Sequence, residues 1–149
     1  MPEPMPAVVL DVGSGSGILA LAALRLGAKQ AVCYDTDPLA VEATLANAAA
    51  NDLGDRVTAR LGSLPPTPPE DAYALVLANL VAAVLIDLAE SLTAHTAQGG
   101  TLLASGIIET RADEVLAALT ATGLAIDTRL DDGEWVSVGL RRALHALAR

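Results

Sequence analysis

Residues 8–24 read VVLDVGSGSGILALAAL, and the reading of this stretch decides the fold. A short β-rich apolar run, Ala7 to Leu10, leads to glycines at alternate positions, Gly13, Gly15 and Gly17. An apolar helix then runs from Ile18 to Leu26 and closes at Gly27. Strand, glycine turn and helix in that order predict an open α/β sheet with a ligand-binding turn at the strand's C-terminal end. A dinucleotide turn is spaced G-x-G-x-x-G, but the place of its third glycine is taken by Ile18, and no Gly-Lys-Ser/Thr follows to make a triphosphate turn. Asp11, at the end of the strand, would repel a pyrophosphate. It suits a ligand carrying positive charge, or it orients the turn through a water or a backbone amide.

Outward from the turn, strands and helices alternate. Gln30 to Tyr34 reads as a second strand, and "DTDP" opens an alanine-rich helix from Pro38 to about Asn51, with Asp37 as N-cap and Pro38 as first helical residue. Val57 to Leu61 is a weaker third strand, followed by a proline-rich loop, GSLPPTPPEDA. Tyr73 to Ala78 is a strong fourth strand and Val81 to Thr93 a helix, after which "QGG" resets the chain for a fifth strand at Thr101 to Ala104. Arg111 to Thr122 is an amphipathic helix stopped by Gly123. The last two strands, Ala125 to Leu130 and Trp135 to Leu140, flank an Asp-Gly turn and predict an antiparallel hairpin. The expectation is one domain over residues 1–149, an α/β sheet that is parallel except near one edge.

Composition narrows the function. The 149 residues carry a net charge of −9, with 52% hydrophobic residues, no Phe, one Trp and two Tyr. The sign is wrong for tracking nucleic-acid phosphates, and aromatic platforms for stacked bases are nearly lacking, so direct nucleic-acid binding is not expected. The apolar run from Tyr73 to Ile86 falls short of the ~18 residues of a membrane span. A lone cysteine, Cys33, forms no internal disulfide and reads as a small buried hydrophobe. With no signal-like N-terminus, a cytoplasmic monomer is the default. His95 and His145 show no metal-ligand spacing, and no metal is expected. Trp135 reads as a packing residue, and Asp131, Asp132 and Glu134 as a solvated turn.

Asp35 ends the second strand, where a carboxylate faces the crevice beside the first turn and can accept two hydrogen bonds from vicinal ribose hydroxyls. LDVGSGSG followed by an acid after the second strand resembles the S-adenosylmethionine-dependent methyltransferases, whose cofactor is a nucleoside bearing an amino acid and a sulfonium cation. Five stretches in order narrow the resemblance: VLDVGSGSGILALAALRLGA, YDTDPLAVEATLANAAAN, LVLANLVAAVLIDLA, GGTLLASGIIETRADEV and DDGEWVSVGL. Together they are similar to the catalytic domain of the PrmA family, whose members methylate amino groups of protein eleven of the large ribosomal subunit.

The resemblance implies a Rossmann-like methyltransferase fold, a seven-stranded, mostly parallel sheet with a C-terminal antiparallel hairpin and helices on both faces. It also implies S-adenosylmethionine as cofactor and a basic protein, a ribosomal one, as substrate. By position it places Gly13, Gly15 and Gly17 near the methionyl part, Asp35 at the ribose and Gly62 with Ser63 near the adenine, with Asp11 and Thr36 also among the cofactor-binding residues. Asn79 falls between cofactor and substrate, where its amide could orient the amine while backbone carbonyls accept the amine's protons. No His or Glu stands in a motif position as a base, so loss of the amine's proton to solvent, or desolvation of the amine, is the expected route. Full-length members carry an N-terminal substrate-recognition domain and a segment covering the cofactor. This chain reaches its first strand by about Ala7, so the expectation is a catalytic domain without them. The alternatives are a cofactor-binding module of low or no activity, a methyltransferase for another amine and, against the glycine spacing, a nicotinamide-dependent oxidoreductase.

Overall fold

The computed structural model describes residues 4–144. In chain order the elements are β1 (Val8–Val12), α1 (Ile18–Arg25), β2 (Gln30–Asp35), α2 (Pro38–Ala50), β3 (Val57–Leu61), β4 (Tyr73–Asn79), α3 (Ala82–Asp87), α4 (Ala89–His95), β5 (Thr96–Ile108), α5 (Ala112–Thr120), β6 (Leu124–Asp132) and β7 (Trp135–Arg142). The seven strands form one sheet in the order β3-β2-β1-β4-β5-β7-β6. β1 to β5 pair in parallel, whereas β7 runs antiparallel to both β5 and β6. The strand order turns back between β1 and β4, and that reversal opens a crevice at their C-terminal ends.

The central strands are apolar on both faces because helices lie on both. Along β1, Val9 joins a cluster with Ala20, Ala23, Leu24, Ala31 and Leu77 on the α1 side, while Leu10 and Val12 join the larger cluster under α3, α4 and α5. Small residues at Ala20 and Ala23 let α1 lie close to the sheet. Arg56 holds the turn between α1 and β2, its guanidinium donating to the Ala28 carbonyl at 2.5 Å and, through Nε, to that of Lys29 at 3.1 Å. Asp37 caps α2 by accepting from the Leu39 amide at 2.9 Å.

Three expectations change. The helix expected over 81–93 is two short helices, α3 and α4, divided at Leu88 (φ −94°, ψ 3°). The fifth strand begins at Thr96, not Thr101. Thr96 already pairs with Tyr73, and residues 97–100 bulge out before pairing resumes at Leu75 with Thr101, so "QGG" lies inside the strand. Trp135 does not pack inward, since 53% of its surface is exposed. The helices also cover the faces unequally. Leu103, on central β5, is 41% exposed beside Leu19 of α1, Leu77 and Gly139. None of the described helices is long and apolar enough to cross a membrane. His95 is buried, its Nδ1 2.8 Å from the Ser91 carbonyl, and His145 lies outside the described residues.

Candidate active site

Positive φ at Gly13 (72°), Gly15 (57°) and Gly17 (86°) lets the chain coil tightly between β1 and α1. The turn's amides point inward to the protein. Those of Gly13 and Ser14 donate to the Tyr34 carbonyl at 2.8 and 3.2 Å, that of Gly15 to Asp35 Oδ2 at 2.9 Å, and that of Gly17 to the Ser14 carbonyl at 2.8 Å. Helix α2 holds the carbonyl side: Thr44 donates to Gly15 at 2.9 Å and Asn47 to Ser16 at 2.8 Å. A phosphate-binding turn presents its amides to the anion. Here four consecutive or near-consecutive amides are already engaged, so the turn is built as a shaped wall.

Asp11 and Asp35 flank this turn from opposite sides. On β1 the side chain of Asp11 shares a face with Val9, against Cys33 and Leu77 of the neighbouring strands. It is 1% exposed, its Oδ2 accepts from the Ala20 amide at 3.2 Å, and its Oδ1 has no partner. It thereby serves the first turn of α1, whose N-cap is Gly17 and has no side chain to offer. Burial pushes the Asp11 carboxyl up to about 7, against the Ala20 hydrogen bond that lowers it and with a smaller upward push from Asp35. Burial likewise raises the Cys33 thiol to about 12, with Asp11 adding to the effect, so Cys33 is an inert core residue. Asp35 is half-buried at the crevice mouth. Besides Gly15, it accepts from the Asp37 amide through Oδ1 at 3.0 Å.

The crevice above β1, β2 and β4 is a cleft of about 480 Å³. Of the residues expected from sequence, Gly13, Asp35, Thr36, Gly62, Ser63 and Asn79 line it together. Asp11 lies beneath the turn, and Gly15 and Gly17 stand behind it: Gly17 packs on Thr44, where a Cβ would come within 3.0 Å of the threonine methyl. The sequence did not point to Tyr34, Leu80, Val81, Val84, Asp87 or Leu88, which with Val12 complete the lining. A signal was there for Val84, Asp87 and Leu88, which recur at helical spacing after Asn79. The lining holds two carboxylates, Asp35 and Asp87, and no lysine or arginine.

A family model described as Ribosomal protein L11 methyltransferase (PrmA) matches residues 3–143. The chain belongs to this family. Ribosomal protein L11 methyltransferase of Heliobacterium modesticaldum is 43% identical over 137 residues, which cover 92% of this chain and 43% of the relative. That of Pelotomaculum thermopropionicum is 44% identical over 133 residues, covering 89% and 43%. The chain thus spans less than half the length of the curated relatives it matches. The crystal structure of ribosomal protein L11 methylase from Lactobacillus delbrueckii subsp. bulgaricus superposes with a TM-score of 0.87 at 31% identity, covering 95% of this chain and 72% of that one. An RNA methyltransferase from Salinibacter ruber in complex with S-adenosyl-L-homocysteine shares the fold, with a TM-score of 0.71 at 22% identity over 95% of this chain and 84% of that one.

Proposed function

We propose that residues 1–149 form the catalytic domain of an S-adenosylmethionine-dependent protein N-methyltransferase whose substrate is a basic ribosomal protein, working in the cytoplasm. The observation that carries the reading is a nucleoside-sized cleft that has carboxylates, no cationic side chain, and a glycine turn four of whose amides are already engaged within the protein. Such a lining favours a ligand with positive charge and without phosphate. The fit extends to the edge by β3, where a Cβ on Gly62 would meet nothing within 4 Å, leaving room for a flat base beside Ser63.

When bound, S-adenosylmethionine supplies a methyl group made electrophilic by its sulfonium. The chain's own residues hold and orient. Asp35 keeps lone pairs beyond those given to Gly15 and Asp37, and these accept the ribose hydroxyls, with Thr36 beside them. Gly13 lets the wall of the cleft come close to the methionyl part, while Gly15 and Gly17 shape the turn from behind. Asp11 acts from below, fixing the start of α1 and keeping one unpartnered oxygen under the turn. Asn79, exposed at the C-terminal end of β4, receives the substrate amine with its side-chain amide and backbone carbonyl. Alignment of this kind supplies most of what an in-line methyl transfer requires. The amine loses its proton to solvent or on desolvation in the cleft, and Asp87 attracts it there as the cation.

Thermal shift tests the cofactor site. S-adenosylhomocysteine at a hundredfold over its Kd adds about 2.7 kcal/mol, a rise of several degrees, and a nicotinamide dinucleotide adds nothing. A rise with the dinucleotide alone overturns the reading. Transfer of labelled methyl groups to ribosomal protein L11 tests the substrate. Because the chain spans less than half of its curated relatives, a second reading is cofactor binding with little turnover by this chain alone. Binding without transfer selects it.

A further inference from the structure

β5 does not run straight past the cleft. Ala104 pairs with Val138 and Ile107 with Val136, so Ser105 and Gly106 stand opposite the single residue Ser137, a β-bulge at the level of the site. Gly106 has φ +79°, a conformation that side chains avoid. The bulge lies against the end of β4: Asn79 pairs with Ser105, and the Leu80 amide donates to the Ser105 carbonyl at 3.2 Å. A Cβ on Gly106 would stand 2.6 Å from Asn79 Oδ1 and 3.3 Å from the Leu80 carbonyl oxygen. On the opposite side, a Cβ on Gly13 would run into the Leu80 side chain. Asn79 and Leu80 are therefore held between two glycines of positive φ, one from the cofactor turn and one from a strand that does not line the cleft.

We propose that Gly106 is a positioning residue for methyl transfer: its bare α-carbon is the surface on which the Asn79 amide rests, and it sets where Asn79 presents its oxygen to the substrate amine. The inference rests on the reading of Asn79 as the residue that meets the amine. A bulge that served only the twist of β5 on β7 would need a glycine for its φ but would have no bearing on Asn79. The 2.6 Å that a Cβ there would leave to Oδ1 says otherwise, and it makes the effect of any side chain at 106 depend on what stands at 79.

The test is a cycle of Gly106→Ala, Asn79→Ala and the double variant. Gly106→Ala is expected to lower kcat about 10- to 100-fold, as sub-ångström to ångström misplacement of a reacting group does. The KM for S-adenosylmethionine and the affinity for S-adenosylhomocysteine should stay within about twofold. In the Asn79→Ala background the same change should lower kcat by less than about twofold more, because the group it displaces is gone. The chain has three asparagines, so their side-chain amide signals are separable in a 15N–1H spectrum. Gly106→Ala should move those of Asn79 and leave Asn47 and Asn51 in place. Equal loss of kcat with and without Asn79, or an unmoved Asn79 signal, overturns the proposal. Should Gly106→Ala alone fail to fold, the double variant, freed of the closest contact, should fold and melt higher. If it does not, the proposal also fails. A wild-type chain without turnover would break the reading of the function, while the spectrum and the melting temperatures would still decide the place of Gly106.

Discussion

Two carboxylates of the same length meet the same glycine turn, and they do opposite things. At the rim of the cleft Asp35 has both oxygens occupied by backbone amides and retains lone pairs facing the ligand space. In the floor Asp11 has one oxygen on the Ala20 amide and the other on nothing, among apolar neighbours on three strands. What separates them is strand position. Asp35 is the last residue of β2, where the sheet ends and solvent begins, whereas Asp11 is followed by one more residue of β1, which carries its side chain back under α1. A shift of one or two residues along a strand turns an acid that faces the cleft into one buried with its proton.

The sharpest consequence is a pH dependence of stability arising in the floor. With its carboxyl raised from 3.8 to about 7, Asp11 keeps its proton in the folded chain at pH values where the unfolded chain has lost it. The folded state therefore binds more protons between those limits, and the contribution is complete below pH 4 and lost as the pH rises through 7. Asn is close in shape and does not titrate, so the stability advantage of Asp11→Asn over wild type should grow by up to about 4 kcal/mol between pH 4 and pH 8. Urea unfolding at the two pH values measures it. Parallel pH profiles for the two proteins would show that the floor holds no such proton and that Asp11 and Asp35 are not so different.

The rim should answer in ligand affinity. Asp35→Ala takes away the acceptor for the Gly15 and Asp37 amides as well as the one proposed for the ribose, each a charge-assisted hydrogen bond. At about 1.5–3 kcal/mol for such a bond, affinity for S-adenosylhomocysteine should fall by about 100-fold by calorimetry, and the pH dependence of stability assigned to Asp11 should persist. A loss of less than threefold would break the comparison from the other side, leaving Asp35 a turn brace like Asp11.

How much of this was legible depended on how local each signal was. The first of the alternate glycines, the acid after the second strand and the asparagine after the fourth are set by neighbours in sequence, and the fold returns Gly13, Asp35 and Asn79 to one crevice because α/β crossovers bring the C-terminal ends of consecutive strands to the same side. Gly106 lay past the strand expected at Thr101 to Ala104, and only its register against β7 and the approach of Asn79 give it a place. Thr96 was hidden because "QGG" looks like an end to structure, yet β5 carries those residues as a bulge. Trp135 misled for a reason of the same kind. An aromatic on a strand predicts a partner, but sequence does not tell which face of the β5–β7 sheet a helix will cover.

The smallest effect expected concerns the other acid of the rim. Asp87 closes a turn of α3, is exposed, lines the cleft with Asn79 and Val84, and its carboxylate makes no hydrogen bond or ion pair among the described residues. Unlike Asp35 it has nothing to hold in the protein, so its action on a cationic amine is through space and is screened by salt. Asp87→Asn should raise the KM for a basic protein substrate about three- to fivefold at low ionic strength, less at 0.5 M salt, and leave kcat unchanged. A fall in kcat that high pH restores would assign Asp87 a different task, removal of the amine's proton. The rim would then contain, in Asp35 and Asp87, a binding acid and a reacting one, and the division now drawn between floor and rim would have to be drawn within the rim itself.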